Sequence, residues 1–225
     1  MQGLQKILLD ILIYIKDNCL AIITAITALV ALWQTHKQTK ISNKQFLFDK
    51  RMDKYLLTKS LLELFEENNN LLDYSNNSDE EAIIVDIHFA SLTNIEYLKD
   101  ITCIIAETKN SEFKNNFLVK MEELKKLSNE VKFLFNNKSG LYLSTFVLKY
   151  REVLIELYKY QAIQNIMLDD RIPRKRKATF NELQKEYGEL THRYRLYDAI
   201  NELKKSYDNV IKTKAVKKVE KLIKL

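Results

Sequence analysis

At 225 residues the chain is long enough for a sizeable core, yet it holds only three glycines (Gly3, Gly140, Gly188) and one proline (Pro173), so strand-and-turn architectures lack their punctuation. Two cysteines, Cys19 and Cys103, exclude a disulfide framework and fit a reducing compartment. The formal net charge is +6; much of it sits in residues 171–177 and the C-terminal tail, which suits anionic lipid head groups or nucleic acid.

The chain opens with Leu4, Ile7, Leu8, Ile11, Leu12 and Ile15 at helical spacing. Residues 1–17 therefore read as an amphipathic helix in the membrane interface, or as the first turns of the segment that follows. That segment, CLAIITAITALVALW (19–33), carries no charge in a chain with 29% charged residues. Between Asp17 and Lys37 the uncharged run makes roughly 28 Å of helix at ~1.5 Å per residue, against a hydrocarbon core about 30 Å thick. A buried helix would show one wetter face, and a signal peptide would have a shorter apolar region behind a basic start. The expectation is a transmembrane helix over 18–35, with Trp33 at the interface. Lys6 and Lys16 precede it, offset by Asp10 and Asp17; Lys37, Lys40, Lys44, Lys50 and Arg51 follow, with Asp49 the one acid among them. The positive-inside rule then places residues 36–225 in the cytoplasm and the span in the inner membrane. Ala21, Thr24, Ala25, Ala28 and Ala31 form small-x-x-x-small pairs, which suit close packing of spans and self-association.

Residues 35–72 continue the helix without a breaker. Ile41, Phe48, Tyr55 and Leu62 recur every seven residues, as in a coiled coil. After the turn-rich 68–78, Ser78 and Glu81 form a capping box for a helix over 79–107 whose face is Ile84, Ile87, Ser91, Ile95, Leu98 and Ile105. Asn110 and Ser111 start the next, with Phe113, Phe117, Met121, Leu124, Val131 and Phe135 as its stripe. Asn137 to Gly140 reads as a short reversal, with the glycine as a left-handed cap or a turn residue. A helix over 142–167 follows, carrying Phe146, Tyr150, Val153, Leu157 and Gln164. The short link makes 111–167 a helical hairpin. Residues 169–178 form a basic loop around Pro173. Thr179 and Glu182 make a second capping box, and one last long helix runs over 179–225 through Phe180, Leu183, Tyr187, Leu190, Tyr194, Tyr197, Ile200, Tyr207 and Ile211 to an amphipathic basic tail. The expected fold is all-α: a single N-terminal transmembrane helix followed by a cytoplasmic bundle of four to five long helices.

Chemistry-bearing motifs are scarce. One Glu-x-x-His pair, Glu189 and His192, occurs where a di-iron bundle needs two, so no metal is expected and His192 reads as a surface residue. No arginine precedes a histidine by the four to six residues used in one kind of helical RNase. Neither cysteine has a histidine near it in sequence, G-x-S-x-G is absent, and glycine is too rare for a phosphate-cradling loop. The expectation is a protein that is not an enzyme and needs no cofactor. Arg171, Arg174, Lys175, Arg176 and Lys177 put five cations into seven residues. They read either as a solvated loop or as an anion site for lipid, a nucleotide or nucleic acid, with Tyr187, Tyr194 and Tyr197 as possible base-stacking groups or as core.

KQFLFDKRMDKYLLTKSLLELFEEN (44–68) and FVLKYREVLIELYKYQ (146–161) resemble stretches of uncharacterised single-pass helical membrane proteins of bacteria and prophages, some encoded among phage-defence genes. The resemblance covers about half the chain and brings no functional residues with it. With the span, the lack of catalytic motifs and the basic loop, the expectation is a membrane-anchored, oligomeric protein of a bacterial conflict or antiphage defence system, whose bundle senses a ligand or partner and whose span perturbs the membrane or localises a complex. The alternatives are a non-toxic tether that docks a cytoplasmic protein, and nucleotide or nucleic-acid binding through 171–177.

Overall fold

The computed structural model describes residues 2–72, 85–106, 111–171 and 180–223, and all of its regular structure is helical. It divides into two compact units, Met1–Lys50 and Arg51–Leu225.

The first unit contains α1 (Gln2–Asp17) and the N-terminal part of α2 (Cys19–Asn68). Asn18 joins them. Its amide donates to the Tyr14 carbonyl at 3.1 Å, its own carbonyl accepts from Ile22 at 3.0 Å, and its side-chain amide also reaches Tyr14 O. The ladder is thus bridged at Asn18, and α1 is a helix distinct from α2. Side chains that a water-soluble fold would bury are exposed here: Leu8 57%, Leu20 83%, Ile26 55%, Leu29 66%.

The second unit is a bundle built around α5 (Lys138–Arg171), which packs against α3 (Val85–Thr93), α4 (Ser111–Leu134), α7 (Glu189–Lys212) and α8 (Ala215–Ile223). Its core comes from regular apolar spacing. Phe117, Met121, Leu124 and Val131 of α4 are buried against Leu143, Phe146, Tyr150, Val153 and Leu157 of α5. The pair runs antiparallel. Ser128 Oγ donates to the Ser144 carbonyl at 2.9 Å, and Arg151 Nε to the Met121 carbonyl at 2.8 Å. Residues 51–68 of α2 contribute Tyr55, Leu61, Leu62 and Phe65. An aromatic cluster ties α2, α5 and α7: Phe65 lies 5.1 Å from Tyr207 and 5.9 Å from Phe146, centroid to centroid. Tyr150, fully buried, donates its phenol to the Leu92 carbonyl at 2.6 Å and so fixes the end of α3.

Several expectations are corrected. Residues 79–107 do not form one helix: α3 ends at Thr93, and after a bend the chain resumes as a 3-10 turn over Lys99–Ile105. Thr93 Oγ1 turns back to the Phe89 carbonyl and receives Thr102 Oγ1, stapling the break. Ile87 is exposed, while Val85, Phe89 and Leu92 take the core face. The C-terminal region is three helices rather than one. α6 (Phe180–Glu186) stops before Gly188, whose φ of 63° is left-handed, and α7 gives way to α8 at Lys214, φ 53°. Of the expected face, Leu183 and Ile200 are buried, but Leu190, Tyr194 and Ile211 are exposed, and Leu196, Leu203 and Val210 face the core in their place. Gly140 is not a left-handed cap. It lies inside α5, where its amide donates to Asn137 Oδ1 at 2.8 Å, so Asn137 caps the helix. Ile41 and Phe48 of the seven-residue pattern are exposed, whereas Tyr55 and Leu62 are buried. The Ser78–Glu81 and Thr179–Glu182 capping boxes have Ser78, Glu81 and Thr179 outside the described residues.

Candidate functional site

The N-terminal apolar segment is the first candidate. An 18-residue window within the α2 helical run has a mean hydropathy of 1.6 and none of it is buried, so this helix is long and apolar enough to cross a membrane. Its hydroxyls are satisfied within the helix. Thr24 Oγ1 donates to Leu20 O and Thr27 Oγ1 to Ile23 O, each at 2.8 Å, and Thr35 Oγ1 does the same to Ala31 O. A hydroxyl bonded in this way does not need water, which removes most of its penalty in hydrocarbon. Ala21, Thr24, Ala25, Ala28 and Ala31 fall within an arc of about 120° at ~100° per residue; Ile22, Ile23, Ile26, Val30 and Trp33 occupy the opposite side. Lys37 Nζ lies 5.4 Å from the centre of the Trp33 ring, an aromatic–cation pair at the polar end of the segment.

The basic cluster gives no geometry. Arg171 closes α5, and Arg174, Lys175, Arg176 and Lys177 lie outside the described residues. Close to the cluster in sequence, however, the second unit contains a buried polar network. Glu189 and Arg193 are 2% and 5% exposed. Arg193 Nη2 is 2.7 Å and its Nε 2.9 Å from Glu189 Oε1. Tyr160 donates to the same oxygen at 2.5 Å, and Gln184 Nε2 donates to Oε2 at 3.3 Å. Burial, followed by the neighbouring Glu189 carboxylate, raises the Tyr160 phenol well above its ordinary range. Glu189 is therefore committed to Tyr160, Gln184 and Arg193. It is not paired with His192 as a metal motif would have it. His192 itself is half-buried, with no hydrogen-bond partner for Nδ1. Among the described residues no three His, Cys, Asp or Glu side chains gather as a metal site requires.

The tyrosines separate by environment. Tyr197 packs against the core and Tyr194 is 57% exposed, so α7 does not present them as one stacking face. The basic tail is also placed: Ala215, Val219 and Ile223 of α8 are buried, and Glu220 accepts the Tyr55 phenol at 2.5 Å. Its apolar face is thus used up by the bundle, which leaves the lysines outward.

The second unit also has clefts among its described residues. One, about 580 Å³, is polar and lined by Ser60, Glu63, Glu67 and Asn68 of α2 with Ser91, Asn94 and Thr102 opposite. Another, about 360 Å³, lies between α2, α7 and α8. Sequence patterning could not show either, because each sets α2 against elements more than 20 residues further along the chain. No family model, curated protein or solved structure matches the chain.

Proposed function

We propose that this chain is a membrane-anchored helical protein that self-associates through its span, perturbs the membrane there and displays its helical bundle in the cytoplasm, acting in a bacterial conflict or antiphage defence system. The observation that carries the anchoring is the wholly unburied apolar window of α2. At roughly 25 cal/mol per Å² of apolar surface, leaving such a helix in water is strongly unfavourable, and a bilayer is the solvent that covers it on all sides. The basic excess at Lys37, Lys40, Lys44, Lys50 and Arg51 supports a cytoplasmic bundle. The small-residue face of the span supports close helix pairing. The defence setting rests on the resemblance of residues 44–68 and 146–161. Basic residues 171–177 are the proposed contact for an anionic ligand.

The test is induced expression in a bacterial host with a membrane-potential dye. The full chain is expected to depolarise cells and slow growth, and Ala21→Leu/Ala25→Leu/Ala28→Leu, which fills the small-residue face while keeping the helix apolar, is expected to remove the effect without releasing the protein from membranes. Depolarisation by the triple variant equal to the parent would discard self-association through this face. Unchanged potential and growth with the parent at the same membrane level would discard membrane perturbation in favour of a simple tether.

A further inference from the structure

The 360 Å³ cleft has a chemistry of its own. Its size lies in the range of small-molecule sites, ~300–1,000 Å³. Leu62, Val210, Ile211 and Val216 give it an apolar lining, and Lys59, Lys214 and Lys217 stand among its charged residues with Glu63 and Glu66. Both carboxylates are already engaged. Lys59 Nζ lies 3.6 Å from Glu63 Oε1, and the Tyr207 phenol is hydrogen-bonded to Glu66. Lys214 and Lys217 are exposed and make no ion pair with any described residue. The Tyr207 phenol is neutral and leaves Glu66 charged, so three lysines against two carboxylates give the cleft one excess positive charge. Lys214 is also the left-handed residue that ends α7, which sets the first turn of α8 at the cleft.

What is missing from the walls narrows the ligand. Serine, threonine, asparagine and glutamine do not line this cleft, and sugars and nucleobases are read by such groups. Tyr207 is packed on Phe65 and Phe146, so its ring is not a free platform for a base. We propose that this cleft binds an amphipathic anion, its phosphate or carboxylate held by Lys214 and Lys217 and a short aliphatic portion laid on Leu62, Val210, Ile211 and Val216. A free acyl anion and a phospholipid head with its first methylenes share that chemistry. The site does not depend on how the N-terminal helix is inserted, so its failure and the failure of the anchoring proposal are separable.

The experiment uses the full chain in phosphatidylcholine nanodiscs, titrated with hexyl phosphate and followed by phosphorus NMR against empty discs. Hexyl phosphate is expected to bind at least about tenfold more tightly than inorganic phosphate, adenosine monophosphate or hexanol (the last read by its displacement of bound hexyl phosphate), since each comparison loses the head contact or the apolar fit. Lys214→Glu/Lys217→Glu is expected to abolish binding, and Ile211→Asp to reduce it to the level of inorganic phosphate. All three residues are exposed, so helicity and thermal midpoint should stay at the parent values. Equal binding by parent and double variant, tighter binding of adenosine monophosphate, or no binding of hexyl phosphate at millimolar concentration overturns the proposal. Discs containing phosphatidylglycerol assign the source: competition with hexyl phosphate marks a lipid head group, and unchanged affinity marks a free acyl anion.

Discussion

A methyl group added at Gly140 would lie 1.9 Å from the Phe135 carbonyl oxygen and 2.7 Å from Phe135 Cβ, neither of which can swing away. The glycine lets the turn between α4 and α5 close, with Asn137 capping the new helix. Gly140→Ala should therefore destabilise the bundle by about 1–3 kcal/mol or more through overpacking. At Gly188 the space is open and only the left-handed φ of 63° opposes a side chain, so Gly188→Ala should cost about 1–2 kcal/mol and Gly188→Asn less. Chemical unfolding followed by circular dichroism ranks the three; Gly140→Ala as mild as Gly188→Asn would refute the close-approach account. The Glu189 network makes a second prediction. Glu189→Gln leaves the Arg193 charge buried without its counterion and should cost about 3–5 kcal/mol. Removing both charges, as Glu189→Gln/Arg193→Met, should recover most of that loss. A double variant as unstable as the single one would show that the pair matters for something other than charge compensation.

Among the elements, α3 is held at its two ends by different groups. Tyr150 bonds the Leu92 carbonyl at one end, and His88 bonds the Leu71 carbonyl of the preceding 3-10 turn (Asn69–Leu72). Burial holds the His88 imidazole below its ordinary 6.5, with the Leu71 bond pulling weakly the other way. The unfolded chain then takes up the proton more readily than the folded one. The associated stability is present above about pH 6.5 and is lost as the pH falls through the depressed value. Thermal unfolding between pH 7.5 and 5 should show the parent losing more stability than His88→Gln over that window; parallel curves would remove His88 from the account. The same elements show where sequence patterning works. The α4 stripe from Phe117 to Phe135 is legible because its apolar residues keep one regular spacing and nothing interrupts them. The break after Thr93 is hidden because Ile95, Leu98, Ile101 and Ile104 keep an apolar i, i+3 spacing that α and 3-10 geometry share. The left-handed Lys214 gives no signal at all, since lysine is an ordinary helix former. On α7 the apolar stripe read from sequence mixes two adjacent faces: Ile200 lies on the buried one with Leu196, Leu203 and Val210, whereas Leu190, Tyr194 and Ile211 stand one position away and are exposed. The clefts and the Glu189 network were illegible for another reason, since they join residues from separate helices.

For the whole molecule the central claim is that the exposed apolar helix crosses a membrane and leaves the bundle on the cytoplasmic side. The two native cysteines report on it. Cys19 lies at the start of α2 within the apolar segment, and Cys103 is exposed on the 3-10 turn of the bundle. A membrane-impermeant maleimide applied to spheroplasts and to inverted inner-membrane vesicles reads both positions, with Cys19→Ser and Cys103→Ser identifying the labelled site. The account predicts that Cys103 is labelled in inverted vesicles and protected in spheroplasts, and that Cys19 is not labelled in inverted vesicles until detergent is added. Labelling of Cys103 in intact spheroplasts, or ready labelling of Cys19 in inverted vesicles without detergent, would contradict it.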